Sequence, residues 1–196
     1  IIGGGKIPNR LERWLAEQGI RAFNTYGMTE TCSHVALAPV GTTPQPFTSL
    51  GDISFSLDNR GCLVIHAPHF SQKKIVTNDI VNLLSPAEFF WCGRIDNVIN
   101  TGGLKVFPEE IEPIIGEVIT NVRFFVTSQP SEKWGEELVL ALEYTTMQDD
   151  EQKTGEIRPD FIEKLRLKLP SHAIPRKYIA VKHFKETTTG KIIREL

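Results

Sequence analysis

Cysteine is scarce in this chain, with three among 196 residues. Cys32, Cys62 and Cys92 form no CxxC and no Cys/His metal spacing. Three thiols cannot all pair, so reduced cysteines in a cytoplasmic protein are expected. The five histidines are scattered, which argues against a metal cluster. No apolar run approaches the ~20 residues that a bilayer-spanning helix needs. Neither charge is in excess: 22 Lys and Arg face 24 Asp and Glu, for a net charge of -2. A basic footprint for nucleic acid or an anionic membrane is therefore absent. Internal repeats and low-complexity tracts are absent too. The opening IIGGGKIP has no basic region followed by a long apolar stretch, so no signal peptide is expected. It also has no Met and reads as the end of a buried strand entering a glycine turn. The expectation is a chain cut within a longer protein.

What is present suits a folded protein: 40% hydrophobic and 23% charged residues, enough for one large domain or two small ones. Residues 1 to 23 read as strand, glycine turn and helix. Pro8 suits a first helical position, and Leu11, Trp14 and Leu15 share one face. Ile20 to Asn24 reads as a short strand before Thr25-Tyr26-Gly27. From 35 to 92 the helical period vanishes. Prolines 39, 44 and 46 mark a loop, then apolar segments follow at 51–57, 63–66, 75–84 and 89–92. Asp58-Asn59-Arg60-Gly61 is a hairpin turn between the first two of them. This region is expected to be a small, antiparallel, barrel-like β structure.

A boundary is expected at Gly93 to Asn97, dividing the chain into 1–95 and 96–196. The second part reads as α+β. Its strands are 98–100, 104–107, 122–127, 138–144 and 178–184, with a polar loop at 146–156. One helix enters at Pro108-Glu109-Glu110, where Pro and carboxylates suit the first turn, and buries Ile111, Ile114, Ile115 and Val118. Pro113 must kink that helix or fall in its first turn. A second helix, 159–169, turns Phe161, Ile162, Leu165 and Leu169 inward.

Several residues have the chemistry of a nucleotide site, and each also has a plainer reading. In Tyr26-Gly27-Met28-Thr29-Glu30, a π face stands beside backbone that a ligand can approach closely. Thr29 offers a hydroxyl for a phosphate oxygen, and Glu30 a hard carboxylate for Mg²⁺. The plainer reading is a turn with a surface Thr-Glu pair. Gly3, Gly4 and Gly5 alone make a tight turn. Asp79, after Ile75-Val76, can accept ribose hydroxyls or be a solvated turn residue. Arg94 is a permanent, rigid donor, or half of a surface pair with Asp96 that is worth little. Gly102-Gly103 can simply close a hairpin. Lys191, in Thr187-Thr188-Thr189-Gly190-Lys191, puts one ammonium on a polar tip, where it can neutralise developing negative charge. A lone lysine there is otherwise a solvated charge.

Three blocks in order, NTYGMTET (24–31), GRIDNVINTGGLKVFPEEIE (93–112) and TTTGKIIREL (187–196), resemble the adenylate-forming superfamily, and within it the acyl-CoA synthetases. The resemblance runs through the whole chain and matches the latter part of such enzymes. It implies the end of a large AMP-binding domain followed by a mobile, compact α+β domain. It also implies ATP, CoA and a small carboxylic acid as substrates, with Mg²⁺ as cofactor. The matching roles are nucleotide contacts from Gly3, Gly4, Gly5, Tyr26, Gly27, Thr29, Asp79 and Arg94, and metal binding by Glu30. Asp96 would be the hinge, Gly102 and Gly103 would line the CoA path, and Lys191 would be the catalytic lysine. Thr31, Ser33 and His34 would border the acyl pocket, although His34 also reads as a partly buried structural histidine. Three departures stand out: Asn78 where glycine is usual, Asn100 where many relatives have lysine, and Lys185 where proline is common. No Ser/Thr/Gly-rich phosphate loop occurs, so this stretch alone is not expected to turn over. A homo-oligomer is compatible with the sequence. A peptide-synthetase adenylation domain and a non-catalytic nucleotide-binding or docking module stay open as alternatives, although the stop at Leu196 favours a free-standing ligase.

Overall fold

A computed structural model describes residues 1–3, 7, 9–41, 43–119, 122–144, 153–188, 190 and 192–194. The chain forms two compact units, Ile1–Asp96 and Asn97–Leu196. Among the described residues no helix is long and apolar enough to cross a membrane.

The first unit opens with helix α1 (Asn9–Glu17). Leu15 is buried, whereas Leu11 and Trp14 of the expected apolar face are 37% and 50% exposed. Seven antiparallel strands follow: β1 (Phe23–Gly27), β2 (His34–Pro39), β3 (Phe47–Ser49), β4 (Ser54–Leu57), β5 (Cys62–His66), β6 (Lys74–Ser85) and β7 (Glu88–Arg94). Their order is β1-β2-β3-β7-β6-β5-β4. β1 and β4 are its two ends, so the barrel-like region expected from the sequence is an open sheet. β2 and β3 replace part of the expected loop, because the segment 34–39 pairs with β1 in spite of its terminal proline. The turn after β4 matches expectation: Leu57 pairs with Leu63, and Gly61 takes φ +81°, a conformation open chiefly to glycine. Alternation along β6 buries Ile75, Thr77, Asp79 and Val81 on one face. The core gathers Val35, Phe55, Leu63, Ile65 and Phe89.

The second unit contains β8 (Ile99–Thr101), β9 (Leu104–Val106), α2 (Pro108–Ile115), β10 (Phe124–Ser131), β11 (Gly135–Glu143), β12 (Lys153–Glu156), α3 (Pro159–Arg166) and β13 (Lys177–Val181). Its sheet runs β12-β13-β11-β8-β9, with β10 also paired to β11. Only β11 and β13 are parallel, and α3 lies in the connection between them. β12 falls in the stretch expected to be loop; it pairs with β13. Ile111 and Ile115 of α2 and Leu165 of α3 enter one core with Leu138, Leu140 and Ala180. Pro113 stands inside α2, where it removes one amide donor from the helix.

Candidate functional site

The first unit brings Tyr26 and Asp79 together. The strand expected at Ile20 to Asn24 is β1, shifted to Phe23–Gly27, so Thr25-Tyr26-Gly27 belong to it, with Tyr26 opposite Ala36. Strand geometry sends the Tyr26 side chain into the core, leaving the residue 9% exposed. Its ring meets Phe89 edge-on at 5.1 Å between centroids and Phe47 tilted at 5.8 Å. The hydroxyl donates to Asp79 Oδ2 at 2.5 Å. Burial first, and the nearby Asp79 carboxyl second, hold this phenol well above its usual range. Asp79 is itself buried, and its amide donates to Thr77 Oγ1 at 3.1 Å. The Thr77 hydroxyl in turn donates to the Leu63 carbonyl at 2.8 Å. Tyr26 is therefore tied to β6 and packed beside two phenylalanines.

Arg94 lies opposite Asp79 across β6 and β7. Its side chain is exposed and donates to Asp96 Oδ2 at 2.9 Å. Asn78, the departure from glycine, donates to the same oxygen at 3.2 Å. The hydrogen bond from Arg94, then that from Asn78, keeps Asp96 below the ordinary carboxylate range. Arg60 completes this network: it donates to Asp58 Oδ2 at 2.8 Å, Asn78 Oδ1 at 3.1 Å and the Thr77 carbonyl at 2.9 Å. In the sequence Arg60 reads only as part of a turn. The available signal was the register: Cys62 faces Ile80, which brings that turn beside Asn78.

Thr29 and Glu30 sit exposed on a single 3-10 turn, Thr29–Thr31. No group of three or more His, Cys, Asp or Glu side chains that could hold a metal exists among the described residues. One exposed carboxylate does suit Mg²⁺, which is commonly held by one or two carboxylates plus nucleotide phosphates. Thr31 is buried, at 1% exposed. Its hydroxyl accepts the Met28 amide at 2.9 Å and donates to the Ser33 carbonyl at 2.6 Å. The short turn has unmet backbone groups, and this side chain satisfies them. Ser33 and His34 are exposed, with Ser33 Oγ 3.1 Å from His34 Nδ1. Gly27 is a packing requirement, since a Cβ there would stand 2.7 Å from His34 Cα and 2.9 Å from the Ser33 carbonyl carbon. Gly3 lies beside the parallel bridge of Ile2 to Asn24, where a Cβ would strike the Thr25 hydroxyl. Gly4 and Gly5 lie outside the described residues.

In the second unit Gly102 and Gly103 close the β8–β9 hairpin with φ of +58° and +80°, the two-residue turn that favours glycine. A Cβ on Gly102 would come within 3.0 Å of the Trp134 ring, while Gly103 faces open space. Lys191 lies outside the described residues.

No family model matches this chain. It is 26% identical over 215 residues to a 2-succinylbenzoate–CoA ligase of Listeria monocytogenes, covering 99% of this chain and 44% of the relative. A 2-succinylbenzoate–CoA ligase of Escherichia coli is also 26% identical, over 74% of this chain and 35% of its own length. Along nearly its whole length the chain is thus similar to proteins named 2-succinylbenzoate–CoA ligase. It spans less than half the length of these curated ligases. Its fold matches part of an o-succinylbenzoate coenzyme A synthetase of Bacillus subtilis, solved in complex with ATP and magnesium ion. The TM-score is 0.77 at 18% identity, covering 98% of this chain and 44% of that one. The same synthetase in complex with an acyl-adenylate intermediate matches with a TM-score of 0.76 at 19% identity.

Proposed function

We propose that this chain forms the C-terminal part of an ATP-dependent carboxylate–CoA ligase, of the 2-succinylbenzoate–CoA ligase type that serves menaquinone biosynthesis. The observation that carries the reading is the likeness to such ligases across 99% of the chain, with the three motif blocks in family order. TYGMTET, TNDIV and GRIDNVINTGGLKVFPEEIE are the stretches most similar to that subfamily. Other fatty-acyl or aryl-CoA synthetases are the nearest competitors.

The chemistry has two steps. A carboxylate oxygen attacks the α-phosphorus of ATP, forming the acyl-adenylate as pyrophosphate leaves. The CoA thiol then gives up its proton and attacks the acyl carbonyl, forming the thioester as AMP leaves. Lys191 supplies positive charge where negative charge grows in the first step. Thr29 contacts the α-phosphate, Arg94 and Asp79 hold the ribose side, and Glu30 would hold Mg²⁺, which neutralises phosphate charge. The two steps require different faces of the second unit, so Asn97–Leu196 turns about Asp96, withdrawing Lys191 and presenting Gly102-Gly103 to CoA. The exposed Leu11 and Trp14 on α1 fit a surface that further protein covers.

The test uses the whole protein that carries this chain. Lys191→Ala should lower acyl-adenylate formation about 10²-fold while sparing thioester formation from supplied acyl-adenylate; equal loss in both steps would count against the reading. The buried Tyr26 ring and its bond to Asp79 favour a second reading, in which this chain by itself binds no nucleotide and only docks. Calorimetric titration of the isolated chain with ATP separates the two.

A further inference from the structure

A two-point ion pair of the second unit lies outside every residue assigned so far. Arg194 grips Glu112 of α2 with both ends of its fork, Nη1 to Oε1 at 2.5 Å and Nη2 to Oε2 at 2.7 Å. Nη1 also donates to the Val126 carbonyl at 3.1 Å. The Val126 amide donates to Glu112 Oε1 at 2.7 Å, so one carboxylate joins α2, β10 and the C-terminal segment. The guanidinium carbon stands 5.7 Å from the Phe125 ring centre, and the two side chains are only 24% and 18% exposed. A planar two-point contact of this kind fixes direction as well as distance.

The anchored segment is one arm of a hairpin. Ile192 bridges Glu186 in antiparallel fashion, and the Ile193 amide donates to the Lys185 carbonyl at 2.8 Å. Ile192 packs against the small core of Phe125, Ala141 and Phe184. The other arm has its own tie: Arg123 holds both Glu143 and Glu186, at 3.0 and 2.5 Å. Between the arms, the Gly190 amide donates to the Thr187 carbonyl at 2.9 Å. Lys191 lies in the sequence between Gly190 and Ile192. The Arg123–Glu186 contact that holds the other arm is exposed on both sides, at 48% and 38%, and screened, whereas both partners of the Arg194 grip are shielded.

We propose that Arg194 and Glu112 are a positioning pair that fixes the register of the C-terminal arm, and so the placement of Lys191 for acyl-adenylate formation. This rests on the functional reading given above. Neither residue touches substrate in this scheme; both act through the arm. The demand is geometric, because a misplacement of about 1 Å can cost on the order of 10²-fold in rate.

The experiment compares Arg194→Met, Arg194→Lys and Lys191→Ala in the whole protein, measuring pyrophosphate release and thioester formation from supplied acyl-adenylate separately. Arg194→Met should lower kcat of the first step ten- to a hundred-fold, leave KM for ATP nearly unchanged, and spare the second step. Arg194→Lys keeps the charge but loses the fork, so it should lie between Met and wild type. Amide hydrogen exchange should accelerate at residues 185–193 in the Met variant. If Lys191→Ala is selective for the first step and Arg194→Met is not, the positioning role falls while the functional reading stands. Loss of both steps together in the Arg194 variants would make the pair merely structural and also overturn it. If Lys191→Ala spares the first step, the functional reading falls and takes the positioning role with it.

Discussion

In the first unit the motif residues Tyr26 and Asp79 are buried and bonded to each other; in the second, Gly102 and Gly103 form an exposed hairpin tip. The difference sets what mutation can report. A substitution at a buried motif residue perturbs folding and ligand contact together. At Gly103 the two effects separate, because nothing packs against it. The glycines sharpen the contrast. Gly27 is required by the backbone that approaches it, whereas Gly103 has space around it and is constrained only by its dihedral angle.

The most damaging test of that contrast is Gly27→Ala. The new methyl would overlap the backbone of Ser33 and His34, which cannot swing aside as a side chain would. Destabilisation on the order of 3 kcal/mol is expected, read from urea unfolding followed by Trp91 fluorescence. A loss below about 1 kcal/mol would mean that the turn relaxes freely, and Gly27 would then resemble Gly103. Next in size comes Tyr26→Phe. It removes the donor to a buried carboxyl group while preserving the ring, so about 2 kcal/mol should be lost. An unchanged unfolding midpoint would show that the Tyr26–Asp79 bond contributes nothing to the core. Gly103→Ala should cost about 1 kcal/mol, the penalty for a side chain in the left-handed region, with no steric component. A loss as large as that for Gly27 would erase the distinction between the two turns.

Much of the fold was legible because periodicity and turn chemistry agree locally. Ile111 and Ile115 announce the buried face of α2, and Asp58 to Gly61 announce a hairpin. β2, β3 and β12 escaped because their strand character comes from partners distant in sequence; Lys153 to Glu156 is polar and becomes a strand only beside β13. The candidate site was legible in composition but not in burial. YGMTE names its residues, yet nothing local shows that Tyr26 continues a strand and turns inward, or that Thr31 closes the turn. Arg194 gave no local signal at all, since its partner Glu112 lies 82 residues away. A register argument was available for Arg60, through the pairing of β5 with β6, and it required the sheet order first.

The smallest expected effect concerns charge, and it compares the units on equal terms. Asp96 of the first unit is held below its ordinary pKa by the hydrogen bond from Arg94, and Glu137 of the second by that from Lys177. In both, the folded value lies below the unfolded one. Each contribution is therefore fully present above the ordinary carboxylate range, near 4, and disappears as pH falls through the lower folded value. The Asp96 side chain is 54% exposed and that of Glu137 is 20% exposed. Screening should keep the Asp96 contribution well under 1 kcal/mol, with Glu137 the larger of the two. Urea unfolding between pH 7 and pH 3 checks this, followed by amide hydrogen exchange read separately for residues of the first and second units. Asp96→Asn should flatten the acid limb of the first unit slightly, and Glu137→Gln that of the second more clearly. If Asp96→Asn flattens its limb more than Glu137→Gln does, the exposed Arg94–Asp96–Asn78 network is coupled to the folding of its unit more tightly than its solvent exposure allows.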